Sequence, residues 1–247
     1  MTPDIQKFLD FYNSPLGRIT RPLLRKQIID LAGDVRGKRV LGLGFATPFL
    51  RFALEDAERV AAVFPARMGA ISWPINEKSN SVLCDPLEMP FSDASIDLII
   101  ATHAFEHSQD SEELMRELWR IAAPNAELIV IVPRRHGIWA QRDNNPFGFG
   151  HPFSRTQLDS LLRTHSFIPK TYREALYLPP SNSKILLKSA RIFERGGSFF
   201  GATFASVICV KAKKQLFPAI PRRKKNKAKI RIPVLAPQTA MKLPKIY

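Results

Sequence analysis

Two short segments hold most of the residues whose types and spacing suit chemistry at a ligand. The first runs Cys84-Asp85-Pro86-Leu87-Glu88-Met89-Pro90-Phe91-Ser92-Asp93-Ala94-Ser95-Ile96-Asp97. An ionised carboxylate accepts hydrogen bonds and donates none, so Asp85 would select an amino donor. The same group also suits a turn or a helix cap, and Asp97 suits the edge of a strand. The second segment is Ala101-Thr102-His103-Ala104-Phe105-Glu106-His107. Histidine is the side-chain type best suited to proton exchange at ordinary pH, so His103 and His107 are candidate general bases. His107 equally suits a structural place at a helix entry. A third segment, Gly42-Leu43-Gly44-Phe45-Ala46-Thr47-Pro48, is rich in small residues, which let a backbone approach a ligand closely.

These segments need a scaffold. Residues 4–12 carry Ile5, Phe8, Leu9 and Tyr12 at helical spacing. Residues 13–17 read as a break, and a second helix is expected over 21–31, with Thr20 as its cap and Pro22 in its first turn. Apolar runs at 39–44, 58–64, 81–84, 96–101 and 127–132 read as strands. Helices are expected at 49–55 and 110–121, the latter with an Asp110/Glu113 capping box. A helix starts at Ser154, a strand covers 168–178, a basic helix 181–195 and a last strand 205–210. Strands alternating with helices imply a doubly wound, mostly parallel sheet, and the two terminal strands bring it to seven. The expected domains are a helical cap (1–34), an α/β domain (35–210) and a basic, disordered tail (211–247).

Over residues 35–135 the chain resembles the class I S-adenosylmethionine (SAM)-dependent methyltransferases of the small-molecule branch, as a divergent bacterial member. The resemblance rests on Asp85, on Met89-Pro90-Phe91, and on Ile96-Asp97 leading into a strand and the 101–107 segment. It implies a Rossmann-like fold and SAM as cofactor. It implies that Asp85 meets the adenine amino group, that Pro86 and Leu87 flank the ring, and that Thr102 and His103 lie near the methionyl end. Gly42, Gly44, Phe45, Thr47 and Pro65 would complete the cofactor contacts. Two departures stand out. Only Gly44 keeps a family glycine position in the first loop, and the second strand ends in Phe64-Pro65-Ala66-Arg67 with no acid for the ribose hydroxyls.

The resemblance implies methyl transfer to an acceptor that the residues do not name. Two rival readings are a non-catalytic binding or scaffold protein and an RNA methyltransferase that uses the basic tail. There is no Asn-Pro-Pro-Tyr-type motif for methylation of a planar amide or base nitrogen. Tyr12 sits where a cap over the cofactor is expected. Arg134, Arg135 and His136 suit an anion clamp or a solvated loop, and Trp139 with the 144–153 loop suits the substrate mouth or a packed surface.

Bulk composition fits this reading. Of 247 residues 45% are apolar, enough for a core. Two cysteines, Cys84 and Cys209, fit buried thiols in a reducing compartment. No metal-ligand spacing involves them. No apolar run approaches the roughly 20 residues of a membrane span, and no leader pattern opens the chain, so a cytoplasmic protein is expected. The net charge of +15 is concentrated at residues 211–247, which hold 12 Lys/Arg and no acid. That run suits a polyanion such as RNA or an anionic membrane surface.

Overall fold

The computed structural model describes residues 3–181, 183, 189 and 205–216. Its centre is a seven-stranded sheet in the order β3-β2-β1-β4-β5-β7-β6. The strands are β1 (Arg39–Gly44), β2 (Arg59–Pro65), β3 (Ser81–Cys84), β4 (Ile96–Thr102), β5 (Ala122–Pro133), β6 (Phe167–Ala175) and β7 (Val207–Lys214). Strands β1 to β5 pair in parallel, and β7 runs antiparallel between β5 and β6. Strand β4 is buried almost throughout, as a parallel strand covered on both faces must be.

Among the described residues five α-helices flank the sheet: α1 (Ile5–Asn13), α2 (Pro15–Ala32), α3 (Thr47–Leu50), α4 (Ser111–Ile121) and α5 (Arg155–Thr164). One core gathers α1, α2 and α3 against one face; the other packs α4 and α5 against the opposite face. The Ser154/Gln157 capping box forms reciprocally at α5. At α4, Asp110 accepts from the backbone N–H groups of Glu112 and Glu113, while the Glu113 side chain turns to Arg116.

Four expectations are corrected. Helix α2 starts at Pro15, because Ser14 caps it by accepting from Gly17 N–H; Pro22 lies inside it. Thr20 is therefore not a cap, and its hydroxyl donates to the Leu16 carbonyl within the helix. The helix after β1 is short and gives way to a 3-10 turn at Arg51–Ala53. Strand β7 continues to Lys214, so the basic tail does not begin at 211. Lys211 pairs with Glu127, and the buried Lys214 ammonium donates to the carbonyls of Trp119 and Ala122. Cys209 is buried but Cys84 is only half-buried. The expected helix over 181–195 and the chain beyond 216 lie outside the described residues.

Candidate functional site

The strand order reverses between β1 and β4, and in open α/β sheets the crevice at the carboxyl ends of such strands is the ligand end. Gly44 ends β1 opposite Thr102 of β4. Its φ is +79°, and a Cβ there would lie 2.3 Å from the Thr102 carbonyl oxygen, so only glycine fits. The next N–H, from Phe45, donates to that same carbonyl at 2.9 Å. The two loops are thus stitched together at their tips.

His103 follows with φ +54°, a left-handed conformation that a side chain adopts only when its surroundings hold it. Two bonds hold it. Its Nε2 lies 2.8 Å from Tyr12 Oη, and its Nδ1 lies 3.0 Å from Glu106 Oε1. Burial, then the Glu106 charge, hold the Tyr12 phenol well above its ordinary pKa, so it keeps its proton and donates. Nδ1–H then donates to Glu106, which fixes the tautomer. Side chains of His103 and Glu106 are fully buried.

Aromatic rings fill the space above these loops. Phe8 stacks on Phe45 at 5.2 Å between centroids and lies 5.1 Å from the His103 ring. Tyr12 also stacks on Phe45, at 5.6 Å between centroids, and Phe147 lies 4.8 Å from His103. Helix α1 is tied down by Ile5 N–H donating to the Met68 carbonyl, just beyond β2.

Beside this plug a cavity of about 140 Å³ remains, lined by Pro65, Arg67, Asp85, Leu87, His107 and Ser108 among others. Asp85 Oδ1 accepts from the Leu87 N–H at 2.9 Å. Thr102 Oγ1, Glu106 Oε2, His107 Nε2 and Ser108 Oγ are buried without a hydrogen-bond partner. Buried polar atoms are seldom left so unless a ligand or water meets them. Burial pushes the His107 imidazole down to about 4, so it is neutral at pH 7. The Cys84 thiol is pushed up to about 11, first by burial and then by Asp85, and is not a thiolate nucleophile.

The loop that carries Asp85 is clamped from α4. Glu117 accepts from the Met89 N–H at 2.6 Å. Arg120 donates to Glu117, to Asp93 and to the carbonyls of Met89 and Phe91.

The ligating atoms of His103, Glu106 and His107 lie within 4.8 Å of one another, close enough to share an ion. Both nitrogens of His103 already have protein partners, Tyr12 and Glu106, while His107 Nε2 and Glu106 Oε2 have none.

The structure brings Gly44, Phe45, Pro65, Asp85, Pro86, Leu87, Thr102, His103 and His107 to one end of the sheet. Gly42 has a different role: a Cβ there would meet Leu50 at 2.4 Å, so it lets α3 approach the strand. Thr47 is buried at the start of α3. Arg134 pairs with Glu174, and Arg135 and His136 are exposed. Trp139 is core, its Nε1–H donating to the Leu178 carbonyl. Gly150 lies where a Cβ would be 2.4 Å from the Glu106 carbonyl oxygen, so the 144–153 loop packs directly over the cluster. Asp97 is structural, accepting from the Arg39 backbone and guanidinium.

Sequence reasoning overlooked Phe8 as a site residue, along with Glu117 and Arg120. Phe8 was visible as the partner of Tyr12 on the inner stripe of α1. Glu117 and Arg120 look like an ordinary surface i,i+3 pair, and only the fold shows that they grip a loop.

A family model described as a methyltransferase domain matches residues 28–130. Over those residues the chain is similar to that family. Demethylmenaquinone methyltransferase of Thermus thermophilus is 31% identical over 115 residues, covering 43% of this chain and 52% of that protein. Ajmaline N-methyltransferase of Rauvolfia serpentina is 43% identical over 47 residues, 19% of this chain and 16% of that protein. The chain therefore spans about half, or less, of these curated relatives. Among solved structures, a SAM-dependent methyltransferase of Thermotoga maritima superposes with a TM-score of 0.63 at 16% identity, covering 85% of this chain and 96% of that one. One from Mesorhizobium loti gives 0.55 at 14%, covering 83% and 100%. At these identities they establish the Rossmann-like methyltransferase fold of the domain.

Proposed function

We propose that the protein transfers a methyl group from SAM to a small-molecule acceptor. The observation that carries this reading is the cavity at Asp85, with buried, unpartnered His107 Nε2 and Ser108 Oγ on its wall. Bound SAM supplies a methyl group on a sulfonium, so the protein's share of the work is alignment and desolvation.

The residues fit the adenosine end. Asp85 would accept from the adenine amino group, with Pro65, Pro86 and Leu87 around the ring. The methionyl end would face Gly44, Phe45, Thr102 and His103. There Phe8 and Tyr12 already fill the space, and cofactor pockets usually measure roughly 300–1,000 Å³, against about 140 Å³ here. Binding therefore requires α1 to shift. His107 is the residue placed to exchange a proton at this site, since both His103 nitrogens are engaged by the protein.

A second reading has its own support. The β2 end offers Pro65 and Arg67 in place of an acid, and the aromatic plug is complete; both suit a non-catalytic binding protein. Calorimetry with S-adenosylhomocysteine separates the two. Methyl transfer requires binding that Asp85→Asn weakens at an unchanged unfolding midpoint. No binding at millimolar ligand sinks it.

The basic run at 222–231 supports a subsidiary role in attracting polyanions. The logarithm of RNA affinity should then fall linearly with the logarithm of salt concentration, and should do so less steeply after truncation at 217.

A further inference from the structure

A second cavity, of about 440 Å³, is larger than the Asp85 cavity of about 140 Å³ and shares no lining residue with it. Its basic wall is Arg21 and Arg25 of α2, with Arg51 from the turn after α3. Arg21 and Arg25 are four residues apart and so share a helix face, where two like charges repel. Among the described residues no acidic side chain lines the cavity.

These arginines differ from others in the domain. Arg39 is paired with Asp97, Arg120 with Glu117 and Asp93, and Arg163 with Asp159. Among the described residues, Arg21, Arg25 and Arg51 have no ion-pair or hydrogen-bond partner, and Arg25 Nε is buried without one. A guanidinium donor out of water and unpaired is a position that an oxyanion would satisfy.

Apolar side chains line much of the rest. Trp73 is buried there, while Ile75 is 77% exposed, an unusual place for a large aliphatic side chain. Tyr12 and Phe45 close the floor toward the plug. Three clustered cations favour a dianion over a single carboxylate, and planar guanidinium groups match phosphate oxygens two at a time.

We propose that this cavity binds a phosphate-bearing small molecule with an apolar body, the phosphate on Arg21, Arg25 and Arg51 and the body against Trp73 and Ile75. The site shares no lining residue with the Asp85 cavity.

Isothermal calorimetry on the full chain tests this with hexyl phosphate, inorganic phosphate, hexanoate and hexanol as probes. Hexyl phosphate should bind about tenfold more tightly than each of the other three, and R25Q or R51Q should remove at least about tenfold of its affinity. The K224Q/K225Q variant, in the basic run, should bind as the parent does. I75D, at an exposed position that does not threaten folding, should reduce hexyl phosphate to the level of inorganic phosphate. Equal binding by R51Q and parent, or by hexanoate or hexanol and hexyl phosphate, overturns the proposal. So does loss of binding in K224Q/K225Q.

Discussion

The Tyr12 hydroxyl and His103 Nε2 lie 2.8 Å apart, joining the first helix to the tip of β4 across 91 residues of chain. The bond is buried, and His103 is in a left-handed conformation that it helps to hold. Tyr12→Phe keeps the ring stack on Phe45 and leaves Nε2 unsatisfied. Loss of such a partner costs about 1–3 kcal/mol. A lower urea midpoint with an unchanged slope is the expected result. An unchanged midpoint would mean that water replaces the hydroxyl at no cost.

Phe8 is fully buried between Phe45 and His103, over the end of the sheet where the cofactor's methionyl end would lie. Phe8→Leu removes ring volume from that place. Stability should fall by about 1–3 kcal/mol. S-adenosylhomocysteine should bind more tightly, since less of the plug must be displaced. Weaker binding in calorimetry would show that Phe8 packs upon the ligand and not in its space.

His107 gives the domain a pH dependence. Its folded pKa is pushed down to about 4 by burial, whereas the unfolded chain takes up this proton near 6.5. Between these values the unfolded state binds more protons, so stability falls as pH drops from 6.5 toward 4 and levels off below. A gap of that size corresponds to about 3 kcal/mol. The difference in unfolding free energy between the parent and His107→Leu, followed by urea titration from pH 7.5 to 4, should trace this limb. A pH-independent difference would place the His107 titration in the unfolded range.

The strand positions and the Asp85 region were legible because their signals are local. Ile96–Ala101 is apolar without a break, and the Asp85-Pro86-Leu87 turn carries its own chemistry. The start of α2 was misread because Ser14-Pro15 opens a helix as readily as it ends one, and only the Ser14 bond to Gly17 N–H decides between them. Arg134 was an open position, since a cation after a strand looks alike whether or not Glu174, forty residues on, faces it. The aromatic plug was hidden for the same reason. Phe8, Phe45, His103 and Phe147 come from four separate segments, and no periodicity links them.

The clamp from α4 gives a sharp distinction between holding a ligand and holding a loop. Arg120 donates to two backbone carbonyls and two carboxylates around the Met89–Asp93 segment. Asp85 contributes a carboxylate, and among the described residues only the Leu87 N–H draws on it. Asp85→Asn should therefore weaken S-adenosylhomocysteine binding without moving the unfolding midpoint. Arg120→Gln strands the half-buried pair's acceptors and loosens the segment that follows Asp85. It should lower stability by about 1–3 kcal/mol and weaken binding as well. Arg120→Lys should not restore either property, because one ammonium cannot span acceptors that a planar fork reaches together. Paired thermal unfolding and calorimetry read both effects. Recovery of binding and stability in the lysine variant would reduce Arg120 to a point charge and remove the clamp from the account of the site.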